Sequence, residues 1–305
     1  MIAHLKGRDK ALEAFGWTGR KAEWIALACL HSGVFTRDQL AAWLRTHNRT
    51  ARRFVLIITA QKLAVEELLH GRRICRIFSR PVYRALGAEH IRHRKTASEE
   101  VLLRRLLSLD YVIEHPGLPW LPTEPEKVGA FEALGIERAV LPVRVYGRAA
   151  RETRRYFPVK LPVALDERRA LFVYADPGHD TATALRSWGA AHRALWRALL
   201  GLGLAVEVAV VVRTTREAVR ARKVLGHWVE AAAEANAADP ARREIARIEQ
   251  AILGMDDAEV ERLGGFQSCL LRIAELKKQV RSVCPGTAIS GFTAWRSGRL
   301  RGGVS

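Results

Sequence analysis

The most constraining stretch of the chain is residues 45–62, RTHNRTARRFVLIITAQK. Its first half is crowded with Arg49, Arg52 and Arg53, and its second half turns apolar through Phe54, Val55, Leu56, Ile57 and Ile58. Read as a helix, it carries those arginines on its N-terminal turns at three- and four-residue spacings, so they share a face. Ala51, Phe54, Val55 and Ile58 then form the opposite, buried stripe. The run 54–58 is also β-prone, and periodicity alone does not settle so short an apolar segment.

The neighbouring residues favour the helix. Residues 18–32 carry Trp24, Ile25, Leu27, Ala28 and Leu30 as the apolar positions of a helix, and Gly33 ends it. Thr36-Arg37-Asp38-Gln39 is a capping box, in which the Thr oxygen accepts from the backbone while the Gln reaches back, and it opens a helix through Leu44. A short turn, 45–48, leads into the arginine helix. Two short apolar runs, 64–69 and 73–78, then flank His70-Gly71-Arg72 and read as a β-hairpin. Helix, helix, basic helix and basic hairpin in that order predict a winged helix-turn-helix over 18–80, after an N-terminal arm or short helix at 1–17. Such a unit offers a DNA groove the start of its second helix. The candidate DNA contacts are Arg45, Asn48, Arg49, Thr50, Arg52 and Arg53 on that helix, with His70, Arg72 and Arg73 at the hairpin. The plainer alternative is an amphipathic helix and a turn with solvated basic faces.

Charge bears on partners. The chain has 305 residues, is 49% hydrophobic and carries a formal net charge of +18. That is core enough for two domains, and folding gains nothing from so much like charge. Polyanions, double-stranded DNA first, are the expected partners. Arg outnumbers Lys, which suits phosphate and guanine contacts. The four cysteines form no Cys-x-x-Cys pair, and no His stands at zinc-finger spacing from two of them, which favours a reducing cytoplasm over a structural zinc site. Cys29 falls on an apolar helix face and reads as a buried thiol. The first residues lack the apolar segment of a signal peptide. The longest apolar run, 202–212, is interrupted by Glu207 and too short to span a bilayer. No membrane partner is expected.

Residues 81–95 read as a basic linker broken by Pro81 and Gly87. Thr96-Ala97-Ser98-Glu99 is a second capping box, starting a helix to Tyr111. Residues 115–125 are Pro-rich and extended, and Thr123-Glu124-Pro125-Glu126 starts a further helix. Three strands are expected at 140–146, 156–165 and 170–176. A helix follows over 180–200, then an almost continuous Val/Ala strand at 204–212, covered on both faces, and a helix over 214–236. Residues 96–236 thus make one α/β domain with the last strand inside its sheet. Residues 237–305 are helical and charged, with a Gly- and Arg-rich tail expected to be mobile. Trp295 in that tail either stacks on a base or caps the fold, and capping is favoured.

The strand–strand–helix–strand order resembles the core of the PD-(D/E)xK nucleases. With the N-terminal winged helix, the chain resembles the replication–relaxation (mobilisation) group of mobile-element proteins, through RYFPVKLPVAL (155–165), LFVYADPG (171–178) and HRALW (192–196). The resemblance covers roughly residues 20–225. It implies an acid on the second strand and an acid-x-lysine on the third, holding a divalent metal that activates water. Here the second strand has Val159-Lys160 and the third has Val173-Tyr174-Ala175-Asp176 followed by Pro177. One carboxylate rarely holds magnesium, so Asp176 reads first as a turn former and Asp176 and Lys160 are weak catalytic candidates. His179 and Asp180 lack a Ser or Cys nucleophile in a matching context. No phosphate loop ending in Gly-Lys-Ser/Thr occurs, and Gly201-Leu202-Gly203 precedes a strand, the wrong side to cradle phosphate. His192 reads as a packed or surface histidine.

The fold expected is therefore α+β: a winged helix-turn-helix, a restriction-endonuclease-like α/β domain and a helical C-terminal region. The expected function is double-stranded DNA binding in a bacterial mobile element or associated system. The nuclease-like domain would then be degenerate, needing no cofactor and serving binding, dimerisation or partner recruitment. The alternatives are a magnesium-dependent nicking nuclease of relaxase type, and a DNA- or RNA-gripping subunit of a larger nucleoprotein complex.

Overall fold

The structure is a computed structural model that describes residues 2–147, 152–159, 161–178, 181–238, 240–279 and 287–300. The chain is mixed α+β, with three small sheets among helices. Two 3-10 helices, Ala3–Leu5 and Arg8–Phe15, precede α1 (Gly19–His31). Leu5 and Leu12 are fully buried, so this N-terminal segment is packed down rather than free. Then come β1 (Val34–Thr36), α2 (Arg37–Leu44), α3 (Asn48–Ala60), β2 (Ala64–Leu69) and β3 (Arg72–Ile77). The three strands form an antiparallel sheet in the order β1-β3-β2.

Local chemistry explains the joints. Thr36 and Gln39 make both bonds of the capping box at the start of α2. Arg45 ends α2 in the left-handed region, at φ 51°. The β2–β3 turn is the pair His70-Gly71, both at positive φ (47° and 73°), as a tight hairpin turn matched to strand twist requires. The strand therefore begins at Arg72, one residue earlier than the sequence suggested.

The stretch expected to be a linker is instead packed. It forms α4 (Arg80–Ala85) and a 3-10 turn at Arg92–Arg94, and it buries Val82, Tyr83, Leu86, Ala88, Ile91 and His93. Its apolar residues were masked in the sequence by the arginines between them. Next is α5 (Glu99–Glu114), whose N-cap is Ser98 with no side-chain bond, so the box expected at Thr96 does not form. The box at Thr123 does form, and it opens α6 (Glu124–Ala133) with Pro125 in the first turn.

The three strands expected beyond residue 139 are four, in two sheets. β4 (Val143–Tyr146) and β5 (Thr153–Tyr156) make a separate antiparallel ribbon. β6 (Val163–Leu165) and β7 (Arg169–Ala175) belong to the main sheet. The run 156–165 is broken because Phe157 turns to φ 49° and because Pro158 and Pro162 lack the N–H a ladder needs. After β7 come α7 (Thr181–Gly201), β8 (Ala205–Val212) and α8 (Thr215–Ala238). Then follow α9 (Pro240–Leu253), α10 (Asp257–Arg262), α11 (Phe266–Gln279) and β9 (Gly291–Arg296).

The main sheet has the order β6-β7-β8-β9, antiparallel at β6–β7 and parallel thereafter. β8 lies inside the sheet, as its almost continuous apolar run predicts. The tail is not mobile over 291–296, because β9 completes the sheet beside β8. Trp295 meets Tyr111 of α5 edge-on, centroids 5.6 Å apart, which is the capping role. Helices α7 and α8 pack on one face of the sheet and α5 on the other. One continuous apolar cluster runs from Leu5 through the three-stranded sheet, α5 and the main sheet to Leu300. A second, smaller cluster (Ile245, Ile248, Cys269, Ile273 and Leu276) joins α9 to α11. No described helix is long and apolar enough to cross a membrane.

Candidate functional site

The arginine helix α3 buries Ala51, Phe54, Val55 and Ile58, the stripe its sequence predicts. The Phe54 and Trp17 ring centroids are 4.8 Å apart, and the Trp17 indole N–H donates to Gln61 at 2.9 Å, so Trp17 holds α3 at its middle and at its far end. Arg49, Thr50, Arg52 and Arg53 lie exposed on the opposite side, with Arg45 exposed at the preceding turn. Among the described residues, no ion pair engages Arg45, Arg49, Arg52 or Arg53. Asn48 donates from its amide to Asp38 at 3.1 Å, tying the start of α3 to α2. Leu56 and Ile57 extend the exposed side toward its C-terminal end.

The hairpin residues are placed differently. Arg73 pairs with Glu66 (3.2 Å), which also takes Arg37 (2.5 Å), and Arg76 pairs with Glu67. His70, exposed at the tip, lies 3.4 Å from Glu99. Arg72 is half-buried and donates to the Arg299 carbonyl. Thus α3 gathers four of the named residues, and the turn before it a fifth, Arg45, with side chains that meet no partner among the described residues, whereas the hairpin residues and Asn48 already have partners within the chain.

A buried carboxylate missed in the sequence holds this unit in place. Asp110, fully buried on α5, accepts from Ser297 Oγ (2.6 Å), from Arg299 Nη1 (2.9 Å) and more weakly from Gln39 Nε2 (3.4 Å). Arg299 also pairs with Glu114. α2, α5 and the segment after β9 therefore meet at one acid. The signal was available: an Asp inside the apolar run LLSLDYVI is costly unless charges or donors meet it.

Asp176 follows the end of β7 and is buried. Its Oδ1 accepts from Gly178 N at 2.8 Å, the turn-forming role, while Oδ2 is buried and meets no donor among the described residues. Val159 falls in the turn between β5 and β6 instead of on a strand, and Lys160, like His179 and Asp180, lies outside the described residues. Among the described residues, no group of three or more His, Cys, Asp or Glu is gathered to hold a metal ion. His192 is packed among Trp188, Trp196, Phe157 and Phe172, and burial pushes it down to about 4. Cys29 and Cys75 are buried thiols, the second pushed up to about 12 by desolvation.

Comparison of the chain with family models, with curated proteins and with solved structures finds no match. The residues and their geometry alone define the class of site: a basic, open helix face on a small helix-and-hairpin unit.

Proposed function

We propose that the chain is a double-stranded DNA-binding protein, with a winged helix-turn-helix at its N-terminal end and α3 as its recognition helix. The observation that carries this is the exposed set Arg45, Arg49, Arg52 and Arg53, which has no carboxylate partner among the described residues. Four like charges on one helix face and its turn repel each other, and a phosphate backbone relieves that repulsion. The helix, strand, helix, helix, hairpin order and the β1-β3-β2 sheet support the winged-helix reading. The antiparallel β6–β7 pair, the α7 crossover and parallel β8 support a nuclease-like scaffold for the second part. Large apolar side chains exposed on α9–α11 (Leu253, Met255, Phe266 and Leu271) support its use in dimerisation or partner recruitment. Assignment to a bacterial mobile element rests on the sequence resemblance alone.

A gel shift on a duplex pool tests this reading. The wild-type chain should retard the duplex, and Arg52→Ala/Arg53→Ala should weaken that retardation at equal folded content. Equal retardation by both proteins counts against α3 as the reader.

The buried Asp176 Oδ2, which meets no donor among the described residues, favours one second reading, a magnesium-dependent nicking nuclease. Nicking of supercoiled plasmid that requires magnesium and disappears in Asp176→Ala would establish it. Tight binding only to preassembled nucleoprotein, with no affinity for free duplex, would point instead to a subunit of a larger complex.

A further inference from the structure

The β4–β5 ribbon has features that the fold does not use. All four residues of β4 are exposed, and β5 is exposed at Thr153 and Arg154 and half-buried at Arg155 and Tyr156. A two-stranded hairpin in water is marginal at best, so it needs either burial or a firm root. The root is firm. Phe157 N donates to Pro142 O at 2.8 Å, and the buried Phe157 ring stacks on Phe131 at 5.7 Å, which stacks in turn on Phe172 of β7. The ribbon is therefore held out from the core at a fixed place, with most of its own surface in solvent.

Its register sets charge against charge. Arg144 stands directly opposite Arg155, and Val145 opposite Arg154. Like charges facing across an antiparallel pair are destabilising. Side chains alternate along each strand, so Arg144, Tyr146, Thr153 and Arg155 share one face while Arg154 lies on the other with Val143, Val145 and Tyr156. The Arg144 guanidinium sits over the Tyr146 ring, 5.3 Å from its centroid, which holds it extended along the ribbon. Compensation is slight: Arg154, exposed and screened by solvent, pairs with Glu152 at 3.0 Å, and the half-buried Arg155 reaches Glu124 only at 3.9 Å. Arg144 meets no carboxylate among the described residues. The face with Tyr146 and Arg155 also borders a cleft of about 390 Å³, whose lining includes His90, Ile91 and His93 from the segment after β3. The ribbon thus stands beside the segment that follows β3.

We propose that this ribbon is a second contact to duplex DNA, laying Arg144, Arg154 and Arg155 against groove phosphates and base edges. The proposal rests on the duplex-binding reading and adds to it a site remote in sequence from α3. Its physical basis is complementarity. A two-stranded ribbon fits a major groove, and arginines on both faces meet phosphates on both walls. The Arg144–Arg155 opposition, costly in the free chain, is neutralised in the complex.

The test is fluorescence anisotropy of a labelled duplex pool against the full chain across a salt series. The proteins compared are wild type, Arg144→Gln/Arg154→Gln/Arg155→Gln, and Arg49→Gln/Arg52→Gln/Arg53→Gln. If the ribbon holds phosphate, its variant binds at least about tenfold more weakly and loses about 2 to 3 from the log–log salt slope, at roughly 0.9 per phosphate contact. It should also melt no lower than wild type, because the like-charge pair is gone. If the triple variant fails to fold, Arg144→Gln and Arg154→Gln are read singly, each expected to cost about 0.9 in slope. Wild-type affinity and slope in the ribbon variant, with loss in the α3 variant, overturns the ribbon and leaves the α3 reading standing. Loss in the ribbon variant alone supports the ribbon and removes α3. No binding by the wild-type chain overturns both. Tighter binding to phosphatidylserine vesicles than to duplex, lost in the ribbon variant, overturns the proposal in favour of a membrane surface.

Discussion

Asp110 shows how much one side chain can hold. It is fully buried and accepts from Ser297 and Arg299, which stand 187 and 189 residues further along the chain. Asp110→Ala leaves Arg299 without its buried partner and Ser297 without an acceptor, so urea unfolding should show a loss of about 3 kcal/mol. Gly33 is the other sensitive residue. It sits at φ 76°, and a Cβ there would come within 2.5 Å of the His93 Cβ and 2.8 Å of its carbonyl. Gly33→Ala should cost at least about 2 kcal/mol through strain and clash together. His4 and His192 are both pushed by burial from 6.5 to about 4. The unfolded chain then binds protons that the folded chain refuses between those values. The stability these histidines give is complete above about pH 6.5 and declines as pH falls toward 4. The denaturant midpoint should therefore drop between neutral pH and about pH 5, and less steeply in His192→Gln. At this scale the sequence spoke where a residue acts on its neighbours, as Thr36 and Thr123 do in their boxes. It was silent where the partner is distant, as Ser297 is from Asp110, and where a backbone angle decides, as at Phe157.

Among the elements, α3 was the most legible, because its apolar stripe and its basic face alternate at helical spacing over thirteen residues. That stripe outweighed the β-prone run 54–58. The capping box that opens α2 sets where the helix pair begins, so Thr36→Ala should cost about 1 kcal/mol and lower the melting temperature without changing the fold. Segment 81–95 and β9 were misread for opposite reasons. In the first, arginines hide a short apolar set that only tertiary packing reveals. In the second, Gly291–Arg296 has no partner nearby in sequence, and its ladder comes from β8, whose last residue lies before α8, α9, α10 and α11. Parallel pairing of this kind leaves little local trace. The candidate site divides likewise. The α3 arginines were visible as a cluster in sequence, whereas the opposition of Arg144 and Arg155 becomes visible only once the register of β4 and β5 is known.

At the scale of the molecule, one apolar core joins the N-terminal unit to the main sheet, with the smaller α9–α11 cluster beside it. The excess of +18 has to be carried on the outside of that core. The glutamates near this unit are taken up by arginines of α2, the hairpin and α4: Glu66 by Arg37 and Arg73, Glu67 by Arg76, Glu89 by Arg80 and Arg84. That leaves the start of α3 as an unneutralised patch, which is the central physical claim. The most direct measurement is the slope of log affinity against log salt for duplex DNA, wild type against Arg49→Ala/Arg52→Ala/Arg53→Ala. A patch that meets phosphate predicts a slope shallower by about 2 to 3 in the variant, with weaker binding at every salt concentration. Superimposable lines for the two proteins would contradict it.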